Sequence, residues 1–155
     1  MARRIFISYQ HADRDQAKGF ALLQWNQKVD VEFVGRHLLD PVDSTNRDYI
    51  RECVKDQIKG TSVTVVLIGD ETVTSDWVRH EIGWSLEKEK PNGVLGIRLK
   101  GKETSPVPET LNECGAEVID WQPNQFQDAI DRAADQAGRA ALLRERGGLG
   151  GDCAR

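Results

Sequence analysis

The segment at residues 62–69, with the sequence SVTVVLIG, constrains the fold of this chain more than any other feature. Its residues are mostly β-branched and apolar, and a glycine closes it, which is typical of a β-strand. Because the run does not alternate cleanly between apolar and polar positions, both faces of the strand should be covered. The segment therefore predicts a central strand of a parallel sheet.

Further strand and helix patterns alternate along the chain on either side of this segment. Short apolar runs predict the other strands, and apolar residues at helical spacing predict the helices between them. The predicted strands cover residues 3–9, 29–39, 62–69, 94–99 and 117–121, and the predicted helices cover residues 12–27, 47–59, 77–89 and 125–146.

This alternation predicts an α/β fold with helices on both faces of the sheet. We expect a flavodoxin-like, three-layer arrangement in which five mostly parallel strands follow the order 2-1-3-4-5. In such sheets a ligand binds outside the carboxyl ends of the strands, where strands 1 and 3 diverge. The rule brings residues 8–11 and residues 69–77 together at the predicted ligand-binding edge.

The length of the chain predicts one domain at residues 1–146, and the glycine-rich sequence at residues 147–155 predicts a flexible tail. A net charge of −4 without a concentrated basic cluster argues against a nucleic-acid partner. No run approaches the ~20 apolar residues of a membrane span, and the amino terminus lacks the apolar stretch of a secretory signal. We therefore expect a cytoplasmic protein that does not contact the membrane.

Cysteine and histidine residues predict no metal site, because the three of each are scattered without ligand spacing. The odd number of cysteines indicates free thiols in a reducing compartment. His11 lies in the predicted ligand-edge loop and is a candidate functional residue. His80 points away from the predicted core stripe, so we expect it to be solvated.

The heptapeptide SDWVRHE at residues 75–81 places Trp77 and Glu81 one helical turn apart on the same face. At ~100° per residue, Val78 and Ile82 should face the sheet, and Glu81 occupies a flank beside them. Two interpretations stay open at this point. Spacing alone favours an ordinary surface glutamate, whereas the predicted topology favours a carboxylate held in a ligand pocket.

Several other ligand sites are disfavoured by the sequence. Asp70 ends the third strand, as the phosphoaccepting aspartate does in response-regulator receivers. A receiver also needs an acidic pair after strand 1 and a lysine after strand 5, but YQH and WQP stand at residues 9–11 and 121–123. The chain also lacks a glycine-rich dinucleotide or phosphate loop, a serine nucleophile elbow, and the Ser/Thr-Gly run that would hold FMN.

Three segments carry a resemblance to a known family: IFISY at residues 5–9, LDP at residues 39–41 and SDWVRHEI at residues 75–82. In this order they resemble the TIR domain, and within it the bacterial TIR-like proteins of Thoeris-type anti-phage systems. The resemblance covers roughly residues 3–121. The chain departs from it at Val78, where many TIR domains carry cysteine, and in lacking the Pro-Gly pair of receptor and adaptor TIR domains after strand 2.

By this resemblance, Glu81 corresponds to the catalytic glutamate with which enzymatic TIR domains cleave the nicotinamide–ribose bond of NAD+. The resemblance implies an NAD+ glycohydrolase or ADP-ribosyl cyclase that uses NAD+ as substrate and needs no cofactor or metal. A cyclic ADP-ribose isomer would be a diffusible anti-phage signal to a separate effector, and the chain would form homo-oligomers. The implied substrate-binding residues are Phe6, Ser8, Tyr9, Gln10, His11, Asp40, Ser44, Asp76 and Trp77, with helix capping as the alternative role of Asp76.

A second function is consistent with the same resemblance. The chain would then be a non-enzymatic TIR-like interaction module that signals by self-association. This alternative predicts no turnover of NAD+ under any trigger, and biological effects that survive Glu81→Ala.

Overall fold

The computed structural model describes residues 3–25, 31–34 and 47–147 of the chain. Helices and strands alternate in it, with three short 3-10 turns at His11–Asp13, Leu22–Trp25 and Thr72–Thr74. The strands are β1 (Arg3–Ser8), β2 (Val31–Val34), β3 (Val63–Ile68), β4 (Gly93–Arg98) and β5 (Glu117–Ile119), and the helices are α1 (Arg14–Ala21), α2 (Arg47–Lys59), α3 (Asp76–Glu87), α4 (Glu109–Glu113) and α5 (Pro123–Gly147).

All strand pairings in the sheet are parallel, and the strands lie in the order β2-β1-β3-β4-β5. The central strand β3 is buried along its whole length, as its continuous apolar run predicts. The predicted α/β class with a parallel sheet is confirmed. The carboxyl ends of β1 and β3 diverge into separate connections, which defines one edge of the sheet as the ligand-binding edge.

Helices cover both faces of the sheet, and alternate residues of β1 separate the two layers. On one face, Ile5 and Ile7 pack with Phe20 of α1 and with residues of α5. On the other face, Phe6 packs with α2, and Trp77 and Trp84 of α3 pack against the same cluster. Ser8 follows Phe6 by two residues, so its side chain points to the face that carries α3.

Several predicted boundaries are wrong. The predicted helix at residues 12–27 is a 3-10 turn, a short α1 and a second 3-10 turn, because the Gln10 side chain accepts a hydrogen bond from the Ala12 N–H and starts a tighter turn. The predicted strand at residues 29–39 is described only as β2, and residues 35–46 lie outside the described part of the chain. The sequence did not predict helix α4. Of the predicted tail, only Gly147, the last residue of α5, lies within the described residues.

Close packing of α5 on β4 fixes the identity of one residue. A Cβ atom at Gly93 would lie 2.1 Å from the backbone carbonyl oxygen of Ala133. Only a residue without a side chain fits there, so Gly93 lets α5 lie directly on the first residue of β4.

A chain of hydrogen bonds crosses the layer between α3 and the sheet. Lys88 Nζ donates to Asn92 Oδ1 at 2.6 Å, and Asn92 Nδ2 donates to Thr64 Oγ1 at 3.0 Å. The Thr64 and Ser85 hydroxyl oxygens are 2.6 Å apart, and Ser85 Oγ donates to the backbone carbonyl oxygen of Glu81 at 2.8 Å. The hydrogen bonds of the Thr64 hydroxyl explain why this polar residue interrupts the apolar run of β3.

Among the helices of the described residues, none has the length and apolar character needed to cross a membrane.

Candidate functional site

Helix α3 begins with a side-chain cap that fixes the turn carrying Trp77. The Ser75 hydroxyl oxygen accepts a hydrogen bond from the Val78 N–H at 3.2 Å. Asp76 is the first helical residue, and its exposed carboxylate forms an ion pair with Arg79 at 3.1 Å. The predicted capping role of Asp76 is therefore wrong, because the shorter Ser75 side chain at the preceding position reaches the free N–H.

Glu81 is buried between α3 and β1, with 1% of its surface exposed. The Ser8 hydroxyl donates a hydrogen bond of 2.7 Å to its Oε1 atom. Its Oε2 atom is also buried and has no hydrogen-bond partner among the described residues. The predicted flank position is wrong, because α3 lies close enough to the sheet for a strand residue 73 positions earlier in the chain to reach the carboxyl.

Burial dominates the protonation of this carboxyl and raises the pKa of Glu81 from 4.5 to about 8. The Ser8 hydroxyl and the Trp77 indole N–H both favour the ionised carboxylate and lower its pKa, although the indole N–H lies outside the geometry of a regular hydrogen bond to Oε2. Burial therefore favours the protonated, neutral form of this carboxyl at neutral pH. A carboxyl with a strongly raised pKa and an unpartnered oxygen is typical of a functional site.

Aromatic side chains form one wall of this site. The rings of Trp77 and Trp84 meet edge to face, with centroids 5.6 Å apart and planes at 86°. His80 stacks on Trp84 at 5.8 Å and 16°, and Lys55 Nζ lies 5.4 Å from the centre of the same ring. The predicted solvation of His80 is wrong in part, because its ring is stacked on Trp84 and the residue is only partly exposed. Helical spacing in the sequence places Trp84 on the same stripe as Trp77 and Glu81, but Trp84 was not selected as a site residue.

The three residues that follow Ser8 in the sequence do not share its place on the face that carries α3. Tyr9 packs on the opposite face of the sheet, in the cluster that contains α1. Burial raises the pKa of Tyr9, the Arg14 charge lowers it, and the Glu81 charge raises it. Gln10 caps the following 3-10 turn, and His11 is exposed. The structure thus brings Phe6, Ser8, Trp77 and Glu81 together on one face, and leaves Tyr9, Gln10, His11 and Asp76 outside this group.

The remaining predicted positions lie away from this group or beyond the described chain. Asp40 and Ser44 lie outside the described residues. Asp70 at the end of β3 accepts hydrogen bonds from Lys102 Nζ at 2.6 Å and from Ser105 Oγ at 2.8 Å, which lower its pKa. Within residues 3–25, 31–34 and 47–147, no three His, Cys, Asp or Glu side chains converge as metal ligands would.

Comparisons with known proteins relate this site to a family. Residues 6–104 match the family described as "Thoeris protein ThsB, TIR-like domain". A protein of Bacillus cereus (strain MSX-D12), named "Putative cyclic ADP-D-ribose synthase ThsB1", is 31% identical over 103 residues. This match covers 64% of the chain and 53% of the relative, so the chain spans about half the length of that protein.

Two solved structures are also similar to the chain. The CMP N-glycosidase BcmB of Clostridium botulinum superposes with a TM-score of 0.52 at 13% identity, over 84% of this chain and 99% of that chain. The TIR domains of the activated Roq1 resistosome, which recognises the pathogen effector XopQ, give a TM-score of 0.45 at 12% identity, over 99% and 95% of the two chains. The likeness to BcmB shows a shared fold. Since the family match spans most of the chain and includes Ser8 and Glu81, this protein belongs to the family of Thoeris ThsB TIR-like domains.

Proposed function

We propose that this protein cleaves the nicotinamide–ribose bond of NAD+ and joins the freed ribose carbon to another atom of the same molecule. One observation carries the proposal: the buried Glu81 carboxyl has one oxygen held by Ser8 and the other without a partner among the described residues. Family membership and the name of the Bacillus cereus relative support the same reaction.

The chemistry of NAD+ suits a single carboxylate. The nicotinamide ring is cationic in NAD+, so it leaves with the bonding electron pair as a neutral molecule and needs no general acid. The ribose carbon left behind develops positive charge. The Oε2 atom of Glu81 would bind a ribose hydroxyl and stabilise this charge, and the dry surroundings would strengthen the interaction.

Substrate binding would also set the protonation state of the carboxyl. Glu81 must be ionised to stabilise a cation, yet its pKa is about 8 before substrate arrives. A cationic nicotinamide ring within a few ångströms favours the ionised form and lowers this pKa. Because Glu81 is 1% exposed, the ribose would reach Oε2 only after covering groups move aside.

Exclusion of water would decide the product. Attack by water on the ribose carbon gives linear ADP-ribose, whereas attack by adenine or a ribose oxygen gives a cyclic isomer, with one proton released in either case. Buried Phe6 and half-buried Trp77 make the surroundings of Glu81 apolar, which favours the intramolecular reaction. The cyclic product would be a diffusible anti-phage signal to a separate effector protein. Substrate contacts by Tyr9, Gln10, His11, Asp40, Ser44 and Asp76, and assembly into homo-oligomers, stay predictions.

Release of nicotinamide from NAD+ by the purified chain tests this function, with and without lysate of phage-infected cells as trigger. We expect Glu81→Gln to reduce the rate at least ~100-fold, since removal of one group that stabilises developing charge costs about 3 kcal/mol or more. Glu87→Gln is the matched control, because Glu87 is an exposed residue at the end of the same helix. Mass spectrometry should detect a product lighter than ADP-ribose by one water.

Two outcomes would contradict the proposal. Equal rates for Glu81→Gln and the wild-type protein would remove the carboxylate from the mechanism. Absence of nicotinamide release under both conditions, together with biological effects that survive Glu81→Ala, would favour the non-enzymatic interaction module.

A further inference from the structure

A cavity of about 980 Å³ lies at the edge of the sheet opposite to Glu81. Its lining includes Arg3 at the start of β1, Thr61 and Ser62 before β3, and Asn92 before β4. The amino ends of the strands therefore surround it, whereas Glu81 lies toward the carboxyl ends. A strand of six residues separates the two places by roughly 20 Å.

The cavity forms because the side chains that α5 presents become smaller along the helix. The first turns of α5 present large core residues such as Phe126 and Ile130 to the sheet. One face of the following turns carries Ala134, Ala137 and Gly138, which line the cavity. These small side chains leave open space, and a Cβ atom at Gly138 would meet no atom within 4 Å.

The charge of the lining is opposite to that of the whole protein. Four cationic side chains (Arg3, Lys59, Lys88 and Lys90) and one acid, Glu89, border the cavity, although the chain has a net charge of −4. A concave surface lined by one sign of charge concentrates ions of the opposite sign. The cavity should therefore attract anions.

Lys59 and Lys90 are the two of these cations that have neither a close ion pair nor a set of hydrogen bonds with the described residues. Lys88 Nζ is committed to three hydrogen bonds, and Arg3 Nε donates to Asp131 at 2.8 Å. Lys59 forms only a 3.7 Å ion pair with Asp56 in which both side chains are more than 70% exposed, and such pairs contribute little. Lys90 has no ion pair with any described residue. Lys59 and Lys90 can therefore turn to a ligand. Lys88, whose acceptors are all neutral, adds positive charge beside them, whereas Asp131 compensates the charge of Arg3.

We propose that this cavity binds a small anion with two or more phosphate groups. The ammonium groups of Lys59 and Lys90 bind the phosphate oxygens as flexible point charges. The hydroxyl of the exposed Ser62 donates to the same groups, since its own contact with the Arg4 carbonyl is long at 3.4 Å. The flat face of Ala134, Ala137 and Gly138 contacts the uncharged part of the ligand. Nothing in this assignment depends on the reaction proposed for Glu81.

Binding of inorganic tripolyphosphate, measured by calorimetry at constant ionic strength, tests the assignment. The titrations use the Glu81→Gln protein, so that the result is independent of turnover. Gly138→Leu places a large side chain on the lining of the cavity, where a Cβ atom meets nothing within 4 Å, and should weaken binding by narrowing the approach to the lysines. Gly19→Leu is its control, because Gly19 lies in α1 with equally open surroundings. Lys90→Glu should weaken binding about tenfold, and Glu89→Gln should tighten it, as expected for nearby charges partly screened by solvent.

The proposal is overturned if tripolyphosphate does not bind, or if Gly138→Leu binds it as tightly as Gly19→Leu does. Complete displacement by sulfate at the same ionic strength would indicate unspecific attraction of anions, and would overturn it as well. Thermal unfolding of each variant confirms that loss of binding does not come from loss of the fold. Failure of tripolyphosphate to bind would leave the role of Glu81 untouched, because the two measurements share no step.

Discussion

At the scale of single residues, the protonation of Glu81 links the stability of the fold to pH. The pKa of this carboxyl is about 8 in the folded chain against a reference value of 4.5. Between these values the folded protein keeps the proton that the unfolded chain has lost. Stability from this group is therefore fully present below about pH 4.5, and it falls as the pH rises to about 8.

Replacing Glu81 by glutamine should remove this dependence, since glutamine keeps an acceptor for Ser8 and cannot ionise. Each unit of pKa difference is worth about 1.4 kcal/mol, so we expect Glu81→Gln to unfold with a free energy on the order of 3–5 kcal/mol higher than the wild-type protein at pH 8. At pH 5 the two proteins should be nearly equal. Urea unfolding across this pH range provides the measurement, and a difference between the two proteins that stays constant with pH would show that ionisation of Glu81 is not its cause.

The sequence identified Glu81 and Trp77 on one face of the helix, but it did not predict the burial of the carboxyl. Helical spacing gives only the angle of a side chain around its own axis. Burial depends on how closely α3 approaches β1, and on Ser8, which comes from a distant part of the chain. The predicted topology placed Ser8 at the ligand-binding edge, and the family resemblance gave it a substrate-binding role.

At the scale of secondary-structure elements, the packing of α5 on β4 depends on Gly93. The Cβ atom of an alanine would lie 2.1 Å from the Ala133 carbonyl oxygen, so the helix would have to move. We expect Gly93→Ala to lower the free energy of unfolding by about 3 kcal/mol or more.

Gly83→Ala is the matched control, because Gly83 lies inside α3 and a Cβ atom there meets nothing within 4 Å. This change should stabilise the protein by about 0.5–1 kcal/mol through helix propensity. Thermal unfolding of both variants tests the contrast. Similar effects of the two substitutions would show that the close approach of α5 is unimportant.

Elements with a strong pattern were predictable, and weakly patterned ones were not. Helix α2 has the predicted bounds, because Val54 and Ile58 mark its buried face at helical spacing. Helix α4 was missed because it is five residues long and buries a single apolar residue, Leu111. The predicted helix at residues 12–27 was too long because apolar periodicity does not distinguish α-helical turns from 3-10 turns.

At the scale of the whole molecule, Lys88 ties together segments that are distant in the sequence. Its ammonium group donates to the Ile58 carbonyl at 3.1 Å, the Thr61 carbonyl at 2.7 Å and Asn92 Oδ1 at 2.6 Å. Burial lowers the pKa of Lys88. The three acceptors belong to the end of α2, the turn before β3 and the entrance to β4, so one side chain fixes all three.

Lys88→Met should destabilise the fold by about 2 kcal/mol, because it leaves three partly buried acceptors without this donor. Lys90→Met is the matched control and should have almost no effect, since Lys90 is exposed. Chemical denaturation of the two variants distinguishes them. Equal stabilities would show that water replaces the ammonium group at no cost.

The alternation of strands and helices predicted the architecture at this scale, because an apolar strand needs covering helices on both faces. The same reasoning predicted the ligand-binding edge. It could not predict the cavity at the opposite edge, which depends on where α5 passes the strand ends and on which of its turns carry small residues.

The tethered side chain of Asn92 also has a consequence for the chemical ageing of the protein. An asparagine followed by glycine deamidates readily when the glycine nitrogen can attack the side-chain carbonyl. In this fold the Asn92 amide is bound by Lys88, Thr61 and Thr64, and the Gly93 N–H donates to the Ser62 carbonyl at 3.0 Å. The geometry for this attack cannot form until the hydrogen bonds of Asn92 and Gly93 break. The extent of deamidation at Asn92 would therefore measure how often the entrance to β4 opens during the lifetime of a molecule.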